Sequence, residues 1–153
     1  MLVMIDSNAI LMMLNSLESS ESTFKSTIDK FIRLGIKIAG ETEEFYEELK
    51  LYDDKMYHIY IKDIDYNIWL KKIGGSVTYN NSFYEENSEG LGVIHFFLSK
   101  TTMKKVITRK IQAADAFMRG LIKTRGSLSD AIHAKNLLSL FFTHMDYIAY
   151  NSD

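Results

Sequence analysis

The residues Ala116–Phe142, near the C-terminal end of the sequence, read AFMRGLIKTRGSLSDAIHAKNLLSLFF and are the most informative about the fold. Gly120 closes a short helical turn, and the letters that follow, LIKTRG, are typical of a strand. Ser127 or Ser129 then provides a cap for a helix that runs into the most apolar segment of the chain. The stretch therefore predicts one strand between two helical segments.

Three helices are predicted before the first strand. Apolar residues recur at helical spacing over Met4–Leu17, and they recur again from Phe24 to the region between Gly35 and Gly40. The letters TEEFYEELKLY predict a short acidic helix after those glycines. A further helix, SKTTMKKVITRKI, is predicted much later in the chain.

The middle of the chain changes to a period of two residues. MYHIYI and YNIWL predict two strands of a meander, because apolar and polar residues alternate along them. Gly74 and Gly75 are expected to supply the positive φ angles of a tight hairpin turn into a third strand at Ser76–Tyr79. LGVIHFFL is apolar on both faces, so it predicts a fourth strand that is covered on both sides.

Composition narrows the class of protein. The chain has 153 residues, 46% of them hydrophobic, which favours one compact domain. Its net charge of −2 argues against a protein that is held to nucleic acid by its whole surface and leaves only a local basic patch open. Without cysteine it can form neither disulfides nor thiolate metal sites, so a cytoplasmic location is the expectation. The apolar start lacks a basic segment and is a poor signal peptide, and no stretch is apolar and long enough to span a bilayer.

The run from Thr102 to Phe142 resembles the C-terminal half of the sterol carrier protein type-two family. The resemblance is carried by the short helix, the AFMRG turn, the LIKTRG strand and the capped helix containing AKNLL, and it extends upstream to the hairpin YNIWLKKIGGSV. It implies an α+β fold: a five-stranded, mostly antiparallel sheet covered by helices on one face and enclosing an apolar tunnel. Residues 1–50 would form extra N-terminal helices packed on the lipid-binding domain at 51–153.

The resemblance implies a carrier of fatty acid, acyl-CoA, phospholipid or sterol-like ligands, without catalysis and without a cofactor. A long alkyl chain can bind through burial alone, since each buried methylene contributes about 0.8 kcal/mol. We expect an apolar cavity of several hundred Å³, as is usual for ligand sites. The predicted lining residues come from the strands, the helix after the fourth strand, the AFM turn and the last helix: Ile59, Ile61, Trp69, Phe96, Met103, Val106, Ile107, Phe117, Met118, Leu137, Leu138, Phe141, Phe142 and Met145.

A basic stretch extends from Lys100 to Arg125. It is a solvated helix face, a contact with the phosphates of an acyl-CoA, or a contact with anionic lipid headgroups, which attract each nearby Lys or Arg by about 1 kcal/mol. The residues predicted to make a transient membrane or headgroup contact are Lys104, Lys105, Arg109 and Lys110.

Two other kinds of site are weaker. Ser129 and His133 lie one helical turn apart, as a nucleophile and its base would, but Ser and Asp at this point are expected helix caps. His58 and His95 lie on separate strands without a third ligand in sequence, so no metal site is predicted.

The alternative to a lipid carrier is a solid-cored interaction module, in which the last helix packs on a partner or on a second copy in a homodimer.

Overall fold

The computed structural model describes residues 20–136. Four helices, five strands and a 3-10 turn follow one another, and a further helix, α5, is helical over residues 128–136. In chain order the elements are α1 Glu21–Gly40, α2 Glu43–Lys50, β1 Lys55–Ile61, the 3-10 turn Lys62–Ile64, β2 Tyr66–Ile73, β3 Ser76–Asn80, β4 Gly92–Leu98, α3 Lys100–Ile107, α4 Ala113–Met118 and β5 Lys123–Arg125.

The five strands form one sheet in the order β3-β2-β1-β4-β5. The pairs β1–β2, β2–β3 and β4–β5 are antiparallel, whereas β1 and β4 are parallel. The parallel pair at the centre requires a crossover, which the hairpin of β2 and β3 and the following loop provide. The predicted α+β fold with a mostly antiparallel sheet is confirmed.

Serine side chains cap three of the helices, and at Ser127 this agrees with the prediction from the sequence. The hydroxyl of Ser20 accepts a hydrogen bond from the backbone N–H of Thr23, and the hydroxyl of Ser99 accepts one from Thr102. At the start of α5, the Ser127 hydroxyl accepts from the N–H of Asp130, so Ser127 makes this bond at the helix start. Each of these bonds satisfies a backbone donor that the first helical turn leaves free.

The helices pack on one face of the sheet, which we call the inner face. Its strand residues include Ile59, Ile68 and Phe96, which align across β2, β1 and β4. They join one core with Phe24 of α1 and Val106 of α3. The opposite, outer face carries the alternate residues of the same strands.

Two details of the sequence-based account are wrong. Only one face of β4 is fully covered, because Ile94, Phe96 and Leu98 are buried whereas the alternate residues are half-buried. In the β2–β3 turn only Gly74 has a positive φ, of 60°. At Gly75 a Cβ would overlap the ring of Tyr46, which is 42% exposed, so a larger residue there would require that ring to move.

Within residues 20–136 no helix is long and apolar enough to cross a membrane. The division of the chain into 1–50 and 51–153 stays a prediction.

Candidate functional site

An apolar cavity lies between the inner face of the sheet and the helices. Its volume is about 190 Å³, below the several hundred Å³ expected from the sequence. The described lining residues are Phe31, Ile32, Gly35, Ile36, Ala39, Phe45, Leu49, Tyr57, Ile59, Leu70, Lys72, Val77, Phe96, Leu98, Met103, Val106, Ile107, Ala113, Phe117, Ile122 and Ala134.

Alternate residues of the strands, which all project from the inner face of the sheet, form the floor of the cavity. Tyr57 and Ile59 of β1 and Phe96 of β4 point to the same side, because they are separated by even steps or are partners across the sheet. β2 contributes Leu70, which pairs with Tyr57, and β3 contributes Val77. One wall consists of the C-terminal half of α1 with α2, and the other consists of α3 and α4.

Lys72 is a charged side chain in this apolar lining. It is 1% exposed, and its Nζ donates to the carbonyl oxygen of Tyr52 at 2.8 Å and to Oδ1 of Asp54 at 3.3 Å. The backbone N–H of Gly74 also donates to Asp54, and this bond, followed by the Lys72 ammonium, lowers the pKa of the Asp54 carboxyl. Because Tyr52 and Asp54 accept hydrogen bonds from the ammonium, the part of Lys72 that lines the cavity is its apolar alkyl stem.

Tyr57 provides the phenol group of the lining. Burial, together with the negative charge of Asp130, raises the pKa of its hydroxyl to about 12. The group is therefore neutral at physiological pH. Apart from Tyr57 and Lys72, the described lining residues are glycine and apolar side chains. This part of the chain thus presents no free charge to a bound molecule.

Six of the residues predicted to line the tunnel do line this cavity. They are Ile59, Phe96, Met103, Val106, Ile107 and Phe117.

The structure corrects the placement of three other predicted lining residues. Trp69 projects from the outer face, where its ring stacks on His58 with centroids 4.1 Å apart. Met118 is 86% exposed at the end of α4, because only Phe117 of the AFM turn faces inward. Ile61 is fully buried in the core but does not line the cavity. The remaining predicted residues, Leu137, Leu138, Phe141, Phe142 and Met145, lie outside the described residues.

Sequence reasoning missed one wall. Residues of α1 and α2 line the cavity, although the N-terminal helices were predicted only to pack on the domain. The available signal was the apolar stripe of α1, whose buried residues recur at helical spacing and include Phe24, Ile28, Phe31 and Ile38. The stripe identifies a buried face, but it does not show that part of the face borders a cavity.

The basic residues predicted to contact headgroups are on and just after α3. Lys105, Arg109 and Lys110 are exposed, and Lys104 is half-buried. Arg109 has a φ of 66°, so the chain turns sharply where the helix ends. A role for this surface stays a prediction.

The catalytic alternative gains no support from geometry. Asp130 pairs with Lys55 at 3.1 Å. The ring of His133 packs on Tyr52 at 4.6 Å between centroids. Among residues 20–136 no group of three or more His, Cys, Asp or Glu side chains is arranged to hold a metal ion.

Comparison with known proteins supports the fold. No protein-family model and no curated protein matches the sequence. Among solved structures, sterol carrier protein 2 from Yarrowia lipolytica, in its apo form, aligns with a TM-score of 0.56 and 18% identity over 88% of this chain and 98% of that one. UbiJ-SCP2, a ubiquinone synthesis protein, aligns with a TM-score of 0.53 and 10% identity over 82% of this chain and 96% of that one.

A sec-alkylsulfatase, Pisa1 from a Pseudomonas species, is similar over a smaller region. The alignment has a TM-score of 0.47 and 17% identity, and it covers 62% of this chain but only 14% of the sulfatase. The two nearly full-length alignments define the class: the chain has the fold of the sterol carrier protein 2 domain. The resemblance seen in the sequence is thereby confirmed at the level of fold.

Proposed function

We propose that the protein is a non-catalytic lipid-binding or lipid-transfer protein that holds an alkyl chain in the cavity between the sheet and the helices. The observation that carries the proposal is the lining. Every described lining residue is glycine, apolar or aromatic except Lys72, and the ammonium of Lys72 is already bonded to Tyr52 and Asp54. Such a surface favours burial of methylene groups over recognition of a charge.

The volume of the cavity sets how much of a ligand fits. At roughly 30 Å³ for a water-sized group, a cavity of 190 Å³ holds about six methylene groups. At about 0.8 kcal/mol each, these would contribute about 5 kcal/mol to binding. A long-chain lipid would therefore bury one end here and leave the rest, with its headgroup, nearer to solvent.

The volume of the cavity predicts how the affinity for a fatty acid depends on the length of its chain. In a series of unbranched fatty acids, each added methylene should raise affinity about fourfold. The increase should stop after about six methylenes, when the cavity is full. Displacement of a fluorescent fatty acid measures the series, and the matching alkanols serve as uncharged controls.

The same series separates the proposal from its alternative. Acids and alkanols of equal length should bind within a few-fold of each other, because the lining presents no free cation. Affinity that does not depend on chain length would contradict the proposal. Native mass spectrometry showing a ligand-free homodimer in that case would favour an interaction module instead.

Contact with anionic membranes is the second part of the proposal. Lys105 and Lys110 are exposed on and just after α3, a helix that lines the cavity, so they can approach lipid headgroups. Binding to anionic vesicles should weaken as salt shortens the screening length, and a Lys105→Glu, Lys110→Glu variant should bind less. Equal binding of both proteins to neutral vesicles at high salt would refute this part. A cytoplasmic location remains an expectation that cell fractionation tests.

A further inference from the structure

The outer face of the sheet carries a row of polar and aromatic side chains that the lipid cavity does not use. The registers of the strands align Asn80, Trp69, His58, His95 and Arg125 across all five strands. Side chains that are partners in a sheet lie close enough to interact directly. At the centre of the row, on the parallel pair β1 and β4, are two histidines.

The two imidazole rings contact each other through their Nδ1 atoms. Nδ1 of His58 lies 2.9 Å from Nδ1 of His95, and the rings are nearly perpendicular, at 89°. On its other side, Nε2 of His58 lies 2.8 Å from Oδ1 of Asn67. Because a carbonyl oxygen only accepts hydrogen bonds, Nε2 carries the proton. The lone pair of His58 Nδ1 therefore faces His95.

This arrangement resembles the histidine part of a metal site, in which a hydrogen-bond acceptor orients a ligating ring. A ligating histidine usually donates its other N–H to an acceptor, which sets the tautomer and the orientation of the ring. Asn67 fills that role for His58, and Asn67 is itself buried. Trp69 stacks on the His58 ring at 4.1 Å and limits its rotation from the side.

The distance between the two nitrogens is that of the N–H···N hydrogen bond they now make, and it is also compatible with one metal ion bound to both. Two nitrogens about 2.05 Å from one ion are about 2.9 Å apart when the angle between them is 90°, and about 3.3 Å apart at a tetrahedral angle. The observed separation is 2.9 Å. A right angle between neighbouring ligands is the geometry of square-planar and tetragonal sites, which nitrogen ligands form with Cu²⁺ and Ni²⁺.

We propose that His58 and His95 bind one divalent transition-metal ion of this class on the outer face, with water completing the coordination. In this site the proton now shared between the two rings leaves Nδ1 of His95 and moves to its Nε2 or to solvent. A rotation about the soft χ2 torsion, mainly of the His95 ring because Trp69 stacks on His58, then directs both lone pairs at the ion. Arg125, the partner of His95 on β5, opposes binding through its positive charge.

Fluorescence of the full chain tests the proposal, because Trp69 is its single tryptophan and contacts His58. Bound Cu²⁺ should quench that emission with a stoichiometry of one, and calorimetry should give the affinity for Cu²⁺ and Ni²⁺. His58→Gln and His95→Gln should each lower the affinity at least tenfold. Asn67→Leu, which removes the acceptor, should lower it about 10- to 100-fold.

Two further variants distinguish a site from adventitious binding. The chain has two other histidines, His133 and His144, and the double variant His133→Ala, His144→Ala should bind metal as the wild type does. Arg125→Gln should tighten binding, which a merely structural role of the row would not produce. Wild-type affinity retained in His58→Gln and His95→Gln, or lost in the His133/His144 double variant, would overturn the proposal. So would the absence of saturable quenching in the wild type.

Discussion

Replacing Ala113 by leucine tests whether the cavity is real volume in solution. Ala113 is the first residue of α4 and lines the cavity, so the larger side chain would project into empty space. Ala116 lies one turn later in the same helix and is fully buried, but it does not line the cavity. The same substitution at Ala116 is therefore a matched control with nearly the same helix propensity.

The expected magnitudes follow from the three added carbon atoms. Buried in the cavity, they contribute about 2.4 kcal/mol, from which about 0.5–1 kcal/mol of side-chain entropy is lost. Ala113→Leu should therefore raise the free energy of unfolding by about 1.5 kcal/mol and Tm by about 3–6 °C. Ala116→Leu adds the same atoms to a filled core and should lower the free energy of unfolding by about 1–3 kcal/mol.

Ligand binding should change in the opposite direction. The leucine at position 113 occupies space for about three methylenes, so affinity for a fluorescent long-chain fatty acid should fall by up to about 60-fold. Ala116→Leu should leave that affinity within a few-fold of wild type wherever the variant is folded. Thermal unfolding and fluorescence titration measure the two quantities. If Ala113→Leu is as destabilising as Ala116→Leu and binds lipid normally, the cavity is closed in solution and the reasoning fails.

Three other changes test the electrostatics and caps. Burial raises the pKa of Tyr57 to about 12. The stability that the neutral hydroxyl contributes is therefore fully present below the ordinary tyrosine pKa of about 10 and is lost between pH 10 and 12. Between pH 9 and pH 11 the free energy of unfolding should fall less in Tyr57→Phe than in the wild type, and an equal fall would contradict the assignment. Lys72→Met should change the free energy of unfolding by no more than about 1.5 kcal/mol, because the side chain of its partner Asp54 is 44% exposed and remains solvated. Its affinity for fatty acids should stay within twofold of wild type. A loss of affinity for acids but not for alkanols would mean that the ammonium binds the ligand. Ser99→Ala should lower the free energy of unfolding in urea by about 0.5–2 kcal/mol, whereas Ser99→Asp, which keeps an acceptor for the N–H of Thr102, should not.

Local patterns in the sequence predict most of the elements. Neighbouring residues determine the alternation along β1 and β2, the glycine turn at Gly74 and the serine caps at Ser99 and Ser127. These features can therefore be recognised without the rest of the chain. The parallel pairing of β1 with β4 joins segments far apart in sequence. No local pattern specifies it, and only the resemblance to a known fold could suggest the sheet.

The inward face of the strands is the part that local patterns could not decide. β1 and β2 carry large aromatic side chains on both faces, with Tyr57 in the cavity and Trp69 on the outer face. Lys72 lies on the inner face, although a lysine is typical of a solvent position. It is tolerated there because Tyr52 and Asp54 bond its ammonium, and these partners come from a segment before β1.

Photochemical labelling with a fatty acid that carries a diazirine at the end of its chain tests whether the cavity holds an alkyl chain. If the chain end enters the cavity, labelled peptides should come from the second half of α1 and from α3 to α4, which line its two walls. Excess unlabelled fatty acid should suppress that labelling, and so should Ala113→Leu. Labelling confined to the outer-face residues of β1, β2 and β4, or labelling that excess ligand does not suppress, would contradict a lipid-binding cavity.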